Sequence, residues 1–238
     1  FTATNKVLPG VYINVVSTAT ASSALSDRGI AAIAMDMDWG AEQAMVKLTA
    51  EEFRAKCIAY TGYNFEDPAV RDLRELFKHA SVVYLFNLRT GGAKAANTFA
   101  TAKHPGTRGN SIKTVIVDNE NSTSSNKLYD VHTYMDSIKV DSQFAVKTIA
   151  ELADNDYVVW KDSATIALNA GLAMTAGTNG TSSLASHQKF LDVAEAYAFN
   201  ALACCSTEPT IVSLYVAYTK RMRDERGKKF QTVVFNNA

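Results

Sequence analysis

The sequence is poor in the residues from which covalent and metal-held frameworks are built. Its three cysteines, Cys57, Cys204 and Cys205, are odd in number and lack the paired spacing of a disulfide scaffold or a zinc site. They read as small buried hydrophobes, one in a helix and two in a strand. The histidines His79, His104, His132 and His187 fall in four different predicted elements, with no ligand spacing between them. No G-x-S-x-G elbow and no cysteine–histidine signature is present. Neither G-x-x-x-x-G-K-S/T nor G-x-G-x-x-G occurs. No apolar run approaches the ~20 residues of a membrane span, and no secretory leader is visible. Asn121-Ser122-Thr123 and Asn179-Gly180-Thr181 fit the glycosylation pattern and read as turns. Charge of neither sign prevails: Lys plus Arg and Asp plus Glu are 24 each. No overall field therefore favours nucleic acid or an anionic membrane. A net charge near zero also leaves self-repulsion weak, which is compatible with self-association.

What the chain does have is an α/β pattern, clearest at its end. From Thr181 to Phe235 it reads helix, strand, helix, strand. Ser206 or Thr207 and Pro209 mark a helix start. Ile211, Leu214, Tyr215, Tyr218 and Met222 then form one apolar stripe of helical period. Lys220, Arg221 and Arg223 suit the helix C-terminus, and Gly227 supplies a left-handed stop. Ala201 to Cys205 precedes the helix as one strand. Phe230 to Val234 and Phe235 follow it, apolar without alternation, as a strand expected to be covered on both faces.

The remaining strands must come from earlier. Residues 1–9 read as an arm and Val11 to Val16 as a β-rich run. Gly29 to Met35 is a strand apolar on both faces, hence central. Ala44 to Leu48 is a short strand. Thr49 and Glu52 make a capping box for a helix that buries Phe53, Cys57 and Tyr60. Asp67-Pro68 opens another helix carrying Val70, Leu73, Leu76 and Phe77. Ser81 to Leu88 is a strand. Beyond it the texture changes: Ser111 to Asp118, Tyr129 to Met135 and Tyr157 to Trp160 are short β runs. The first two are set to pair across the polar turn 119–126. A short helix from Ser142 to Leu152, with Phe144 and Ile149 inward, completes this section. The expected organisation is an open α/β domain, discontinuous in sequence (10–90 plus 179–238), with a mainly β module (91–178) inserted between its halves.

Candidates for chemistry are few. The Gly91-Gly92 loop follows a strand, as a phosphate loop would, but reads better as a hinge turn; so does Gly177-Thr178-Asn179-Gly180. Asp36 and Asp38 lie past the end of the central strand, where α/β enzymes place carboxylates and where Mg²⁺ can be held. With Gly91-Gly92 they define one alternative, a nucleotide- or metal-dependent enzyme. Sugar binding by the inserted β module is another. The basic run Lys220 to Lys229 lacks interleaved aromatics and reads as a charged surface rather than a nucleic-acid site.

The most distinctive stretch is Lys103-His104-Pro105-Gly106-Thr107-Arg108-Gly109-Asn110, which reads locally as a double turn. Taken with Pro9-Gly10-Val11-Tyr12-Ile13, the Gly177–Gly180 turn and the segment from Arg221 to Gln231 (R-M-R-D-E-R-G-K-K-F-Q), it resembles the contractile tail sheath proteins of myophages, prophages and phage-tail-like (R-type) bacteriocins. The four motifs stand here in the family's order. One departure is Ala176, where the family's exit turn begins with glycine. Such proteins also continue well past Phe235, so the sequence resembles the first half of a subunit. The resemblance implies a structural role with no enzymatic activity and no cofactor or metal. It implies stacked hexameric rings around a tail tube, contraction, and a place in a virion tail or bacteriocin particle assembled in the bacterial cytoplasm. Implied partners are further copies, the tube protein, the baseplate and the tail terminator, with no nucleic acid and no small-molecule ligand. Phe1, Thr2, Thr4, Lys6 and Leu8 of the arm, and Val234 and Phe235 at the open edge, are the expected subunit contacts, made by strand addition.

Overall fold

A computed structural model describes residues 29–234. The arm residues Phe1 to Leu8, the run Val11 to Val16 and Phe235 lie outside that range. Within it the strand expected to be central is central. β1 (Ile30–Met35) pairs parallel with both β3 (Val82–Asn87) and β10 (Ala201–Cys204). β11 (Gln231–Val233) extends the sheet beyond β10, and β2 (Met45–Thr49) closes the other side, antiparallel to β3. The sheet order is β11-β10-β1-β3-β2. β1 is buried on both faces because its side chains alternate between two helical layers. Ala31 and Ile33 meet Phe53, Cys57 and Leu73 on one face. Ala32 and Ala34 share a cluster with Phe190, Leu191, Tyr215 and Tyr218 on the other.

The first layer is α1 (Ala50–Thr61) and α2 (Arg71–Leu76). The capping box at α1 forms as the sequence predicts, with Thr49 and Glu52 bonded reciprocally. Asp67 caps a single 3-10 turn at Pro68–Val70 that leads into α2. The second layer is α3 (Leu184–Ala194) and α4 (Pro209–Asp224). Tyr215, Tyr218 and Met222 of the α4 stripe are buried, and Gly227 takes a left-handed φ of 65° just past the helix.

Residues between the Gly91-Gly92 and Gly177–Gly180 turns form a second body. β5 (Ile112–Asp118), β6 (Tyr129–Met135), β7 (Ile138–Val146) and β9 (Asn169–Ala173) make an antiparallel sheet in the order β7-β6-β5-β9. β4 (Ala100–Ala102) and β8 (Val158–Trp160) pair as a two-stranded ribbon. Ile112, Ile116, Val131, Met135, Ile149, Val158 and Trp160 share its core.

Three local expectations are corrected. Ser142 to Leu152 is not a helix. Met135 and Ile138 pair across a two-residue turn with Asp136 at φ 54°, which sends the chain back along β6 as β7. Phe144 and Ile149 are five residues apart and so share no helical face; Phe144 is 62% exposed, while Ile149 reaches the core from a 3-10 turn, Ile149–Glu151. The last strand is not covered on both faces. Among the described residues it pairs only with β10, and Val233 is 64% exposed. Cys57 and Cys204 are buried, but Cys205 lies beyond the strand end, on the side opposite Cys204, and is exposed.

Candidate functional site

The two bodies meet where two of the sequence's distinctive motifs converge, the K-H-P-G-T-R-G-N stretch and the Gly177–Gly180 turn. The segments entering and leaving the β body run antiparallel: Thr90 and Thr181 exchange both backbone hydrogen bonds (3.0 and 3.1 Å), and so do Ala93 and Thr178 (both 3.1 Å). Gly180 is required by this approach, because a Cβ there would stand 2.3 Å from the Thr90 carbonyl oxygen. The Gly91 and Gly92 N–H groups donate to the two carboxylate oxygens of Glu42, at 3.0 and 2.8 Å. These are successive donors of the kind that cradle anions, and a side chain of the same protein fills them.

The K-H-P-G-T-R-G-N stretch then docks the β body onto α1. Arg108 donates from Nε and Nη2 to the Gly62 carbonyl at 2.8 and 2.6 Å. Gly62 is the left-handed cap of α1 (φ 76°), so the cation sits at the negative end of that helix. The same guanidinium forms a two-pronged pair with Asp136 (2.5 and 3.4 Å), donates to Ser111 Oγ at 3.1 Å, and covers the Tyr63 ring at 4.4 Å from its centroid. Its side chain is only 16% exposed, and this is the planar fork geometry that arginine and not lysine provides. The Arg108 hydrogen bonds hold the Asp136 carboxyl below the usual range. Where the sequence suggests a second tight turn, Thr107–Ser111 is a 3-10 helix that aims Arg108 at α1.

Asp38 is the hub on the sheet side. Its Oδ2 accepts from Tyr63 Oη at 2.9 Å and its Oδ1 from Asn179 Nδ2 at 2.7 Å, with Arg89 3.4 Å away. Burial, and then Asp38, push the Tyr63 hydroxyl up to about 12. The Asn179 Oδ1 accepts in turn from the Thr107 backbone (2.8 Å) and hydroxyl (3.2 Å). Asn110 pairs its amide with both backbone groups of Gly177, each at 2.8 Å. Gly106 lies flat on the Asp38 backbone: its φ is 127°, and a Cβ would stand 2.0 Å from the Asp38 carbonyl oxygen. Beside it, Trp39 is fully buried, donates to the Ala59 carbonyl at 2.9 Å, and meets His104 edge to face at 5.3 Å. Burial pushes the His104 imidazole down to about 4.

Of the residues that the sequence offered for chemistry, Asp38, Gly91 and Gly92 come together here, as structural partners. Asp36 is exposed and outside the joint. Among the described residues no group of three or more His, Cys, Asp or Glu is placed to hold a metal ion, and no helix is long and apolar enough to cross a membrane. Val234, expected at an interface, packs partly against the α3–α4 cluster, whereas Val233 and Val216 (38% exposed) face outward. Glu42, Gly62, Tyr63 and Asp136 carry no local signal, because each acquires its role from a partner at least 25 residues away.

Comparison with known proteins follows the same division. Residues 28–88 match the Tail sheath protein Gp18 domain III N-terminal region, and residues 89–179 match the Phage tail sheath protein beta-sandwich domain. Phage-like element PBSX protein XkdK of Bacillus subtilis is 32% identical, over all of this chain and 54% of that protein. The crystal structure of a sheath tail protein from Desulfitobacterium hafniense superposes with a TM-score of 0.76 at 31% identity, over 94% of this chain and 52% of that one. A second, from Listeria innocua, gives 0.74 at 30%, over 90% and 51%. The chain thus spans about half the length of these relatives.

Proposed function

The chain belongs to the phage tail sheath family, and from that premise we propose that it is part of a contractile sheath subunit. In this reading copies assemble as six-membered rings stacked helically around a tail tube. Contraction then drives the tube through the target envelope. The chain performs no catalysis and uses no cofactor. Its partners are further copies of itself, the tube protein, the baseplate and the tail terminator, and its setting is the tail of a virion or of a bacteriocin particle assembled in the host cytoplasm. Residues 10–90 and 179–238 make the discontinuous sheath domain and 91–178 the inserted one, which projects outward. Arm residues near Phe1 to Leu8 and the β11 edge near Val234 and Phe235 make the contacts between copies by strand addition.

One observation carries this reading: the groups that an enzyme would need are committed to joining two bodies. The Asp38 carboxylate and the Gly91 and Gly92 N–H groups all bond within the chain. A mechanical role needs such a joint, because force applied to one body must reach the other without the connection opening. Strand addition suits the exposed edge of β11, whose outer side has no strand partner among the described residues.

The test is negative-stain electron microscopy of the full-length protein at micromolar concentration without nucleotide, alone and with its tube and baseplate. Hollow tubes or six-fold rings with a wide lumen are expected. Particles that stay monomeric even with tube and baseplate present would overturn the proposal.

A further inference from the structure

Asn179-Gly180 is the only Asn-Gly pair in the sequence, and it lies inside the joint. Such a pair carries a reaction that needs no enzyme. The backbone nitrogen of the second residue attacks the asparagine Cγ, and glycine offers no side chain to hinder the approach. The N–Cγ bond forms, the Cγ–Nδ2 bond breaks, and Nδ2 leaves as ammonia with the proton that the backbone nitrogen gives up. Water then opens the cyclic imide at either carbonyl, giving aspartate or isoaspartate.

The closed joint restrains both reacting groups. Asn179 donates from Nδ2 to Asp38 at 2.7 Å, and its Oδ1 accepts from the Thr107 backbone and hydroxyl at 2.8 and 3.2 Å. Any rotation of this side chain costs these bonds, one of them to a carboxylate. Gly180 is buried. A Cβ on it would stand 2.3 Å from the Thr90 carbonyl oxygen, and a Cβ on Gly92 would stand 2.9 Å from the Gly180 nitrogen. The hydrogen-bonded pairs Ala93–Thr178 and Thr90–Thr181 flank the dipeptide, so its backbone is released only when this strand pair opens.

We propose that Asn179 is a deamidation site gated by the joint: closure preserves the amide, and each opening exposes it to a one-way conversion that hinders reclosure. The product accounts for the hindrance. Aspartate places a carboxylate where the Nδ2 donor stood, 2.7 Å from an oxygen of Asp38, and like charges so close disfavour one another. Arg89, 3.4 Å from Asp38, is then one cation facing two carboxylates. Isoaspartate also lengthens the main chain by one atom between the two hydrogen-bonded pairs. The conversion accumulates with the time that the joint spends open. The proposal does not depend on the sheath reading.

The experiment is peptide mapping by mass spectrometry of the full chain during incubation at mildly alkaline pH, native and in urea. Rates are taken relative to Asn121, which lies in an exposed turn. Asn179 should convert at least tenfold more slowly in the native chain than in urea, because only the open fraction reacts. Gly106→Ala, whose Cβ would meet the Asp38 carbonyl oxygen, should raise the native rate at least tenfold; Arg108→Lys serves if that variant does not fold. In Asn179→Asp, hydrogen exchange within residues 103–110 should be at least tenfold faster than in the unaltered protein. Equal rates in the native chain and in urea, an unchanged rate in the joint variant, or unchanged exchange in Asn179→Asp would each overturn the proposal.

Discussion

Replacing Gly106 by alanine should open the joint between the two bodies. Two costs add. The backbone at φ 127° and ψ 158° belongs to a region that is essentially reserved for glycine, and holding a side chain there costs about 1–3 kcal/mol. The new Cβ would also lie 2.0 Å from the Asp38 carbonyl oxygen, more than an ångström inside normal contact. Both atoms are anchored by backbone, so relief requires the loop to lift away. Lifting breaks the Arg108 N–H to Asp38 carbonyl bond (3.2 Å) and the Thr107–Asn179–Asp38 relay, at about 1 kcal/mol for each bond lost. The expected total is about 4 kcal/mol. Gly227→Ala is the internal control: its φ is 65° and a Cβ there meets nothing within 4 Å, so it should cost only about 1 kcal/mol of backbone strain. Urea unfolding followed by tryptophan fluorescence measures both, because Trp39 lies in the joint with 0% exposure. If Gly106→Ala costs no more than Gly227→Ala, with unchanged Trp39 emission, the close approach does not hold the joint and the reasoning fails.

Three further outcomes are expected. Ala176 has a left-handed φ of 67° and is exposed, so Ala176→Gly should raise stability by about 1 kcal/mol in the same urea assay. Arg108→Lys should destabilise by about 2–3 kcal/mol despite keeping the charge, because lysine cannot serve Gly62, Ser111 and Asp136 together; a calorimetric loss under 1 kcal/mol would contradict this. His104 is held down at about 4 against an ordinary 6.5, so the unfolded chain takes up its proton first. Its contribution is complete above pH 6.5 and is lost as the pH falls from 6.5 towards 4. Between pH 7 and pH 5 the loss should be about 2 kcal/mol, and it should be absent from the pH dependence of His104→Phe; parallel curves for the two proteins would refute it.

The elements legible in the sequence are those with a strong local signature. β1 and β3 announce themselves as unbroken apolar runs, α1 by its capping box, and α4 by Pro209, its stripe and Gly227. β7 was not legible, because its start at Asp136-Ser137 lacks the usual glycine and its register is fixed by β6 rather than by its own pattern. β4 and β9 contain mainly alanine, glycine and asparagine, with little intrinsic strand preference. For the joint the sequence displayed one half. Gly106, Arg108, Asn110 and Asn179 stand in recognisable turns, but their partners Asp38, Gly62 and Asp136 become partners only after the chain has folded back. Locally the stretch is only a double turn, although Thr107, Arg108 and Asn110 each have a partner across the fold.

The paired strands at Thr90–Thr181 and Ala93–Thr178 also bear on how such a chain can change over generations. To the five-stranded sheet everything between them amounts to a closed hairpin end of fixed width. The closure entropy grows only with the logarithm of the enclosed length, about 0.6 kcal/mol for each doubling. Insertions, deletions or wholesale exchange inside residues 94–177 therefore leave the sheet nearly indifferent, provided the contacts of Trp39, Gly106, Arg108 and Asn179 are kept. The β body can therefore change without the sheet that carries it having to change.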